Sequence, residues 1–487
     1  MTWTSLNPWV ATPEIFLLCA VCAILLIDLF ISDAKRGITY VLTLLTLGVT
    51  AALVVAGHEP QARMGFSNSF LADALSDYAK LGMILGVALV LIYGRGYAKA
   101  RGLYRGEFFT LAMFSLLGMM VMASAVNFLT LYVGLELMSL SIYAMVALNR
   151  DSFASTEAAM KYFVLGALAS GMLLYGMSML YGATGTLDVF AIAKAIQQGT
   201  ANNLLVVFGL VFVVTGLGFK FGAVPFHMWV PDVYQGAPTP MTQLISTAPK
   251  IAVFVFTLRV LAQALEGFAG DWRGMLMILA VLSIALGNIT AIAQTNIKRM
   301  FGYSTISHMG FVLLGILVAT PNGYAASFFY VMSYLLMGAA GFGVLMLLSR
   351  QGFEAEQIVD LKGLNQRSPW FALMMLFTMF SMAGIPVFLG FFAKLSVLKE
   401  IVNLGMVWLA VVAVAFSLIG AFYYLRVVKV MYFDDAETTE PLNACFDAKV
   451  ILSINCLLLL VLGLMPNTVM TVLIDAVQRS IIPGVIH

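Results

Sequence analysis

The chain has 487 residues, 61% of them hydrophobic and 10% charged, with a mean hydropathy of +0.97 and a formal net charge of +2. Soluble domains carry about 25% charged residues, so this composition excludes a soluble globular fold and implies an all-α polytopic membrane protein. The small net charge gives no argument for a nucleic-acid partner.

Residues 1–13 contain no Lys or Arg, so the positive segment of a cleaved signal peptide is missing. Apolar stretches of membrane-spanning length predict fourteen spans, at roughly 13–32, 38–56, 72–93, 107–124, 126–149, 154–182, 203–224, 240–264, 273–295, 298–319, 323–349, 369–400, 404–432 and 448–475. Span 1 holds Cys19 and Cys22 in an apolar setting that lacks the polar or cationic company a thiolate or metal site needs. These two are read as packing residues, and no structural disulfide framework is expected among the four cysteines, Cys19, Cys22, Cys445 and Cys456. Lys35 and Arg36 follow span 1, which puts the N-terminus outside. On that register the loops expected inside carry Lys35, Arg36, Arg95, Lys99, Arg101, Arg105, Arg150, Lys298, Arg299, Arg350, Lys362, Arg367 and Lys449, against Arg63, Lys194, Arg273 and Lys399 on the other side. The asymmetry obeys the positive-inside rule and places both termini outside. Asp28, Asp77 and Lys80, near span ends, are read as interfacial.

The longer loops, about 57–71, 183–202, 225–239, 350–368 and 433–447, are too short for a redox domain. Gly216-Leu-Gly218 lacks the third glycine of a dinucleotide fingerprint and follows an apolar helix rather than a strand. Of four histidines, His58 and His487 are read as peripheral, so a haem or metal centre is not expected.

Span 7 and the residues after it read GLGFKFGAVPFHMWVPDVYQGAPTP, with Lys220 and His227 beside glycines and a proline. An offset of about 165 residues leads to SMAGIPVFLGFFAKL around Ile385, a second interrupted span that carries Lys394. Span 9 comes five helices after span 4, an odd step, so a repeat of spans 4–8 in spans 9–13 would be inverted. The organisation expected is 1–106 (spans 1–3), 107–264 (first repeat), 265–432 (second repeat) and 433–487 (span 14). Paired broken helices at corresponding positions point to a transport site.

Ionisable residues inside spans cost about 2.5–3.5 kcal/mol each at the bilayer centre and are functional-site candidates for that reason. Five stand well inside: Glu136, Lys161, Lys220, Lys250 and Lys394, with His227 and His308 as titratable additions. Plainer readings exist for each. Lys161 and Lys394 can snorkel to an interface, Lys220 and Lys250 can form a structural ion pair with Glu136, and His308 can bond a backbone carbonyl. Together, four lysines and a glutamate would cost roughly 12–17 kcal/mol unpaired at the centre. Burial lowers a lysine pKa and a carboxylate raises it, so such a row suits proton relay across a bilayer.

PFHMWVPDVYQGAPTP (225–240), QTNIKRMFGYSTISHMG (294–310) and SMAGIPVFLGFFAKL (381–395) resemble the antiporter-like subunits of respiratory complex I and of multi-subunit Na⁺/H⁺ antiporters, over nearly the whole chain and most nearly the N-type branch. The resemblance implies that Glu136 pairs with Lys220, that Lys161 modulates the pair, that Lys250 is the central relay lysine and that Lys394 lies on the exit side. His227 and His308 would join the polar axis. Pro249, directly before Lys250, is expected to open that helix locally. The resemblance further implies no cofactor in this chain, with NADH, FMN, iron–sulfur clusters and quinone in partner subunits. It implies K- and M-type neighbours, a J-type subunit, the lateral helix of the L-type subunit, and a bacterial cytoplasmic membrane. A gradient-driven antiporter subunit and a structural membrane scaffold are the competing classes, separated from complex I by NADH-dependence of pumping and by loss of pumping in Lys220→Ala.

Overall fold

The computed structural model describes residues 6–59, 61–436 and 445–481; His487 lies outside them. Thirteen helices among the described residues are long and apolar enough to cross a membrane. A fourteenth crossing is made by two shorter helices, Pro369–Ala383 and Leu389–Asn403. Inside hydrocarbon a chain must satisfy its own backbone polar groups, which leaves the helix as the element such apolar runs form. The polar residue just before many of them supplies the cap: Asp73, Asn127, Ser152, Asn202, Asn296 and Thr320 each accept from the first helical turn.

Spans 4 and 5 are Gly106–Ser124 and Phe128–Val146, and span 6 is Phe153–Thr184. Span 9 is Ala269–Ile292, span 10 is Ile297–Leu317 and span 11 is Pro321–Leu348. The first set is echoed in the second at one constant offset. Asn127 bridges Asp188, and Asn296 bridges Gln357. A Cβ on Gly118 would run into Gly134 O and Met138 N, and one on Gly287 would meet Tyr303 O and Ser307 N at 2.8 Å. The same backbone-to-backbone approach therefore clamps both helix pairs.

Span 7 is longer than the sequence suggests. Its first half, Asn203–Phe221, stops at Gly222 (φ 78°), and after a short break a second half runs Trp229–Gly236. The second half was expected as loop, because eight residues containing Pro231, Asp232 and Gln235 carry no apolar run. Span 12 breaks likewise at Gly384 (φ 85°). A third interruption lies in span 8: Thr239–Ser246 ends at Thr247 (φ −114°, ψ −92°), Ala248–Thr257 restarts, and a π-helical turn follows at Leu258–Ala264. Pro249 explains the first of these, since its ring cannot donate to a preceding carbonyl. Span 14 also ends early, at Leu464, and Pro466 starts a separate amphipathic helix, Pro466–Ile481, against spans 3 and 11.

Lys80, expected at the interface, is instead buried in span 3 (Ala74–Ala100), 2.7 Å from Glu14. Arg259, unnoticed in the sequence, is fully enclosed and donates to both oxygens of Asp73 at 2.8 Å.

Candidate functional site

The two carbonyls that end the first half of span 7, those of Lys220 and Phe221, have no helical donors because Gly222 turns the chain away. Lys250, directly after the span 8 interruption, donates its Nζ to both at 3.0 Å. At the other break the last carbonyls are those of Met382 and Ala383, and Lys394 Nζ donates to them at 3.2 and 2.9 Å, with Ser417 Oγ at 2.8 Å. Each ammonium thus sits on the negative end of a half-helix. Aromatic faces complete both cradles: Lys250 lies 5.3 Å from the Trp229 ring centre and Lys394 lies 5.6 Å from that of Phe311. Trp229 also ties the halves of span 7 together, donating Nε1 to Phe219 O at 3.0 Å and stacking on Tyr162.

Lys220 points the other way, into the first repeat. Its Nζ donates to Ser139 Oγ of span 5 at 3.1 Å and to Ser170 Oγ of span 6 at 3.2 Å. Glu136 lies one turn before Ser139 on the same helix, and its Oε1 is buried with no hydrogen-bond partner. The two serines, rather than Glu136, hold the lysine in this state. Lys161 is not at this pair at all. It sits at the start of span 6, between Glu157 Oε1 and Asp232 Oδ2, each at 2.8 Å.

Between the cradles runs a hydroxyl network with His308 at its centre. His308 Nδ1 is 2.8 Å from Tyr330 Oη and Nε2 is 3.0 Å from Tyr424 Oη, so one ring nitrogen donates and the other accepts in the neutral ring. Tyr424 Oη continues to Ser304 Oγ at 2.5 Å, and Thr305 Oγ1 meets Tyr334 Oη at 2.6 Å. Tyr423 donates to Asn288 Oδ1 at 3.2 Å, and Asn288 donates to Ser307 Oγ at 2.9 Å. The buried amide of Gln243, seven residues before Lys250 in span 8, has no protein partner, and the buried Tyr234 hydroxyl lies beside Thr305 of this network. Buried groups of this kind are where internal water sits. His227 stands apart, in the span 7 break beside exposed Pro225 and Met228, with Nδ1 unpartnered.

The family described as NADH:quinone oxidoreductase/Mrp antiporter, transmembrane, matches residues 125–420. The chain belongs to this family. A relative in Thiobacillus denitrificans, named NADH-quinone oxidoreductase subunit N, is 59% identical over 470 residues, covering 96% of this chain and 97% of the relative. One of the same name in Laribacter hongkongensis is 56% identical over 483 residues, covering 99% of each. Among solved structures, a chain of respiratory complex I from Thermus thermophilus superposes with a TM-score of 0.82 at 30% identity, covering 96% of this chain and all of that one. A chain of the Mrp complex from Dietzia, 19% identical with a TM-score of 0.85 over 98% of each chain, shares the fold.

Of the residues singled out in the sequence, Lys220, Lys250 and His308 are buried and Lys394 is partly buried. The tyrosines, serines and Asn288 were missed, because such residues are common in apolar helices and only their convergence marks them. Asp232 was missed because its helix was read as loop. All four cysteines are free, and among the described residues no three His, Cys, Asp or Glu side chains gather as a metal site.

Proposed function

We propose that this chain is a proton-translocating subunit of the membrane arm of complex I, coupled to electron transfer from NADH to quinone in other subunits. One observation carries the relay: the acceptors of Lys220, Lys250 and Lys394 are serine hydroxyls and backbone carbonyls, with no carboxylate in ion-pair contact. An ammonium that loses its proton from such a site breaks no ion-pair contact. The ion-paired Lys80 and Arg259 are the contrast; discharging either would leave Glu14 or Asp73 buried and unpaired.

The cycle starts at Glu136. A charge change from a neighbouring subunit draws Lys220 from its serines towards this carboxylate, or releases it. The Lys220 proton then moves towards Lys250, whose Nζ already touches the Lys220 carbonyl. Water at Tyr234 and Gln243 would link Lys250 to the His308 network, which passes the proton on to Lys394. With both termini outside, as the loop charges favour, Lys394 lies on the outer side and the proton leaves there. Each proton moves against about 2.3 kcal/mol per 100 mV, so the energy comes from elsewhere in the complex. Flavin, iron–sulfur clusters and quinone belong to partner subunits in this reading, and the neighbours are the K-, M- and J-type subunits and the lateral helix of the L-type subunit in a bacterial cytoplasmic membrane.

Reconstituted complex tests the reading. NADH-driven acidification that stops with a quinone-site inhibitor and is lost in assembled Lys220→Ala is the expected result. Na⁺/H⁺ exchange without NADH would favour an antiporter subunit, and normal pumping by assembled Lys220→Ala would sink the relay.

A further inference from the structure

The two broken spans match beyond their glycines. Ten residues after Gly222 stands Asp232, and ten residues after Gly384 stands Lys394. Spans 7 and 12 cross in opposite directions, so these positions face opposite sides of the membrane. Each lines a cavity. Lys394 and Ser417 border one of about 300 Å³, and Asp232 borders one of about 260 Å³ with Glu157, Lys161, Gln235, Arg299 and Glu356. Asp232 is a third exposed, whereas Tyr234, two residues on, is fully buried. The eight-residue second half of span 7 therefore turns Asp232 and Gln235 to an open, charged cavity and Tyr234 to the buried interior.

Asp232 is held by two cations: Arg299 Nη1 donates to Oδ1 at 2.6 Å and Lys161 Nζ donates to Oδ2 at 2.8 Å. Lys161 is shared, since Glu157 one turn earlier lies at the same distance. A carboxylate between two cations resists protonation. If Lys161 leans to Glu157, Asp232 keeps only Arg299 and takes a proton from the cavity more readily. If Lys161 returns, the proton is driven off.

We infer that Asp232 is the proton-uptake residue on the face opposite Lys394, its counterpart in the inverted repeat, and that Lys161, exchanged between Glu157 and Asp232, gates it. The step balances simply: a hydronium ion entering the cavity gives its extra proton to Asp232 and is left as water, and Asp232 gives the proton on to water inside the protein, returning to the carboxylate. The inference rests on the relay reading above and assigns Lys161 a place on the uptake side rather than at the Glu136–Lys220 pair.

The experiment uses complete complex in inverted membrane vesicles, with NADH:ferricyanide reduction to measure assembly and NADH-driven acidification to measure pumping. Asp232→Asn is expected to cut pumping by about a hundredfold at unchanged ferricyanide reduction, and Asp232→Glu to keep most of it. The triple variant Asp232→Asn, Lys161→Gln, Arg299→Gln is expected to stay impaired; recovery would mean that Asp232 merely neutralises two cations, and would overturn the inference. Should Asp232→Asn fail to assemble, Glu157→Gln serves, because it leaves Lys161 on Asp232. Slowed pumping supports the gate and normal pumping refutes it. Lys250→Ala is run alongside. Impaired Lys250→Ala with normal Asp232→Asn discards Asp232 and keeps the relay, whereas normal Lys250→Ala discards the relay itself.

Discussion

At the scale of single residues, the acceptors around each lysine decide its use. Lysine and arginine both satisfy a carbonyl cradle, but only lysine gives up its proton near neutral pH. Lys250→Arg and Lys394→Arg should therefore assemble and still lose NADH-driven pumping by about tenfold or more. Acidification as fast as the parent's in either arginine variant would show that charge alone is needed there. The double change Ser139→Ala, Ser170→Ala removes both acceptors of Lys220. A buried ammonium left without them is destabilised by about 1–3 kcal/mol, and Glu136 is the acid close by on span 5. Expected is a Lys220 held towards Glu136, seen as slower pumping that Glu136→Gln partly relieves.

At the scale of elements, the breaks are conformational requirements. Gly384 has φ 85°, and a Cβ there would stand 3.0 Å from Lys394 Cδ. Gly384→Ala should cost about 1–2 kcal/mol for the backbone alone and displace Lys394 as well. A lower thermal midpoint in detergent together with reduced pumping is the expected pair of results; an unchanged midpoint would show that the break tolerates a side chain. The elements also mark how far the sequence could be read. Apolar length found all fourteen crossings, and glycine with proline found the breaks of spans 7 and 12. It could not show that Trp229–Gly236 resumes the helix, because a half-span of eight residues buried among other helices needs no apolar run. Thr247 gave no sign of its unusual backbone angles, although Pro249 beside it did. Lys220, Lys250, His308 and Lys394 stood out in the sequence because an ionisable residue inside a span is conspicuous, whereas the hydroxyl network did not, since Tyr330, Tyr334 and Tyr424 acquire meaning only by facing His308.

Across the whole molecule, buried charge is divided between two tasks. Lys80–Glu14 and Arg259–Asp73 tie spans 1, 3 and 8 together outside the relay. Arg259→Leu alone leaves Asp73 buried and unpaired, a loss of about 3–5 kcal/mol. Less subunit should appear in purified complex, and Arg259→Leu with Asp73→Leu should recover most of it. Equal yields for the single and double variants would contradict a pair held for stability. The spans 4–5 and 9–10 clamps work at the same scale, since Gly118 and Gly287 bring paired helices into contact at matching positions in each repeat.

The lysine cradles couple chemistry to shape. A lysine that loses its proton keeps two N–H donors but loses its charge, so its hold on the two carbonyls at the negative end of the half-helix weakens and that end is freer to move. Both breaks also reach the perimeter, at Pro225 and Met228 on one side and Pro386 and Val387 on the other. A small apolar molecule wedged against either edge would restrain that movement from the lipid side, and would stall the pump without touching an ionisable group.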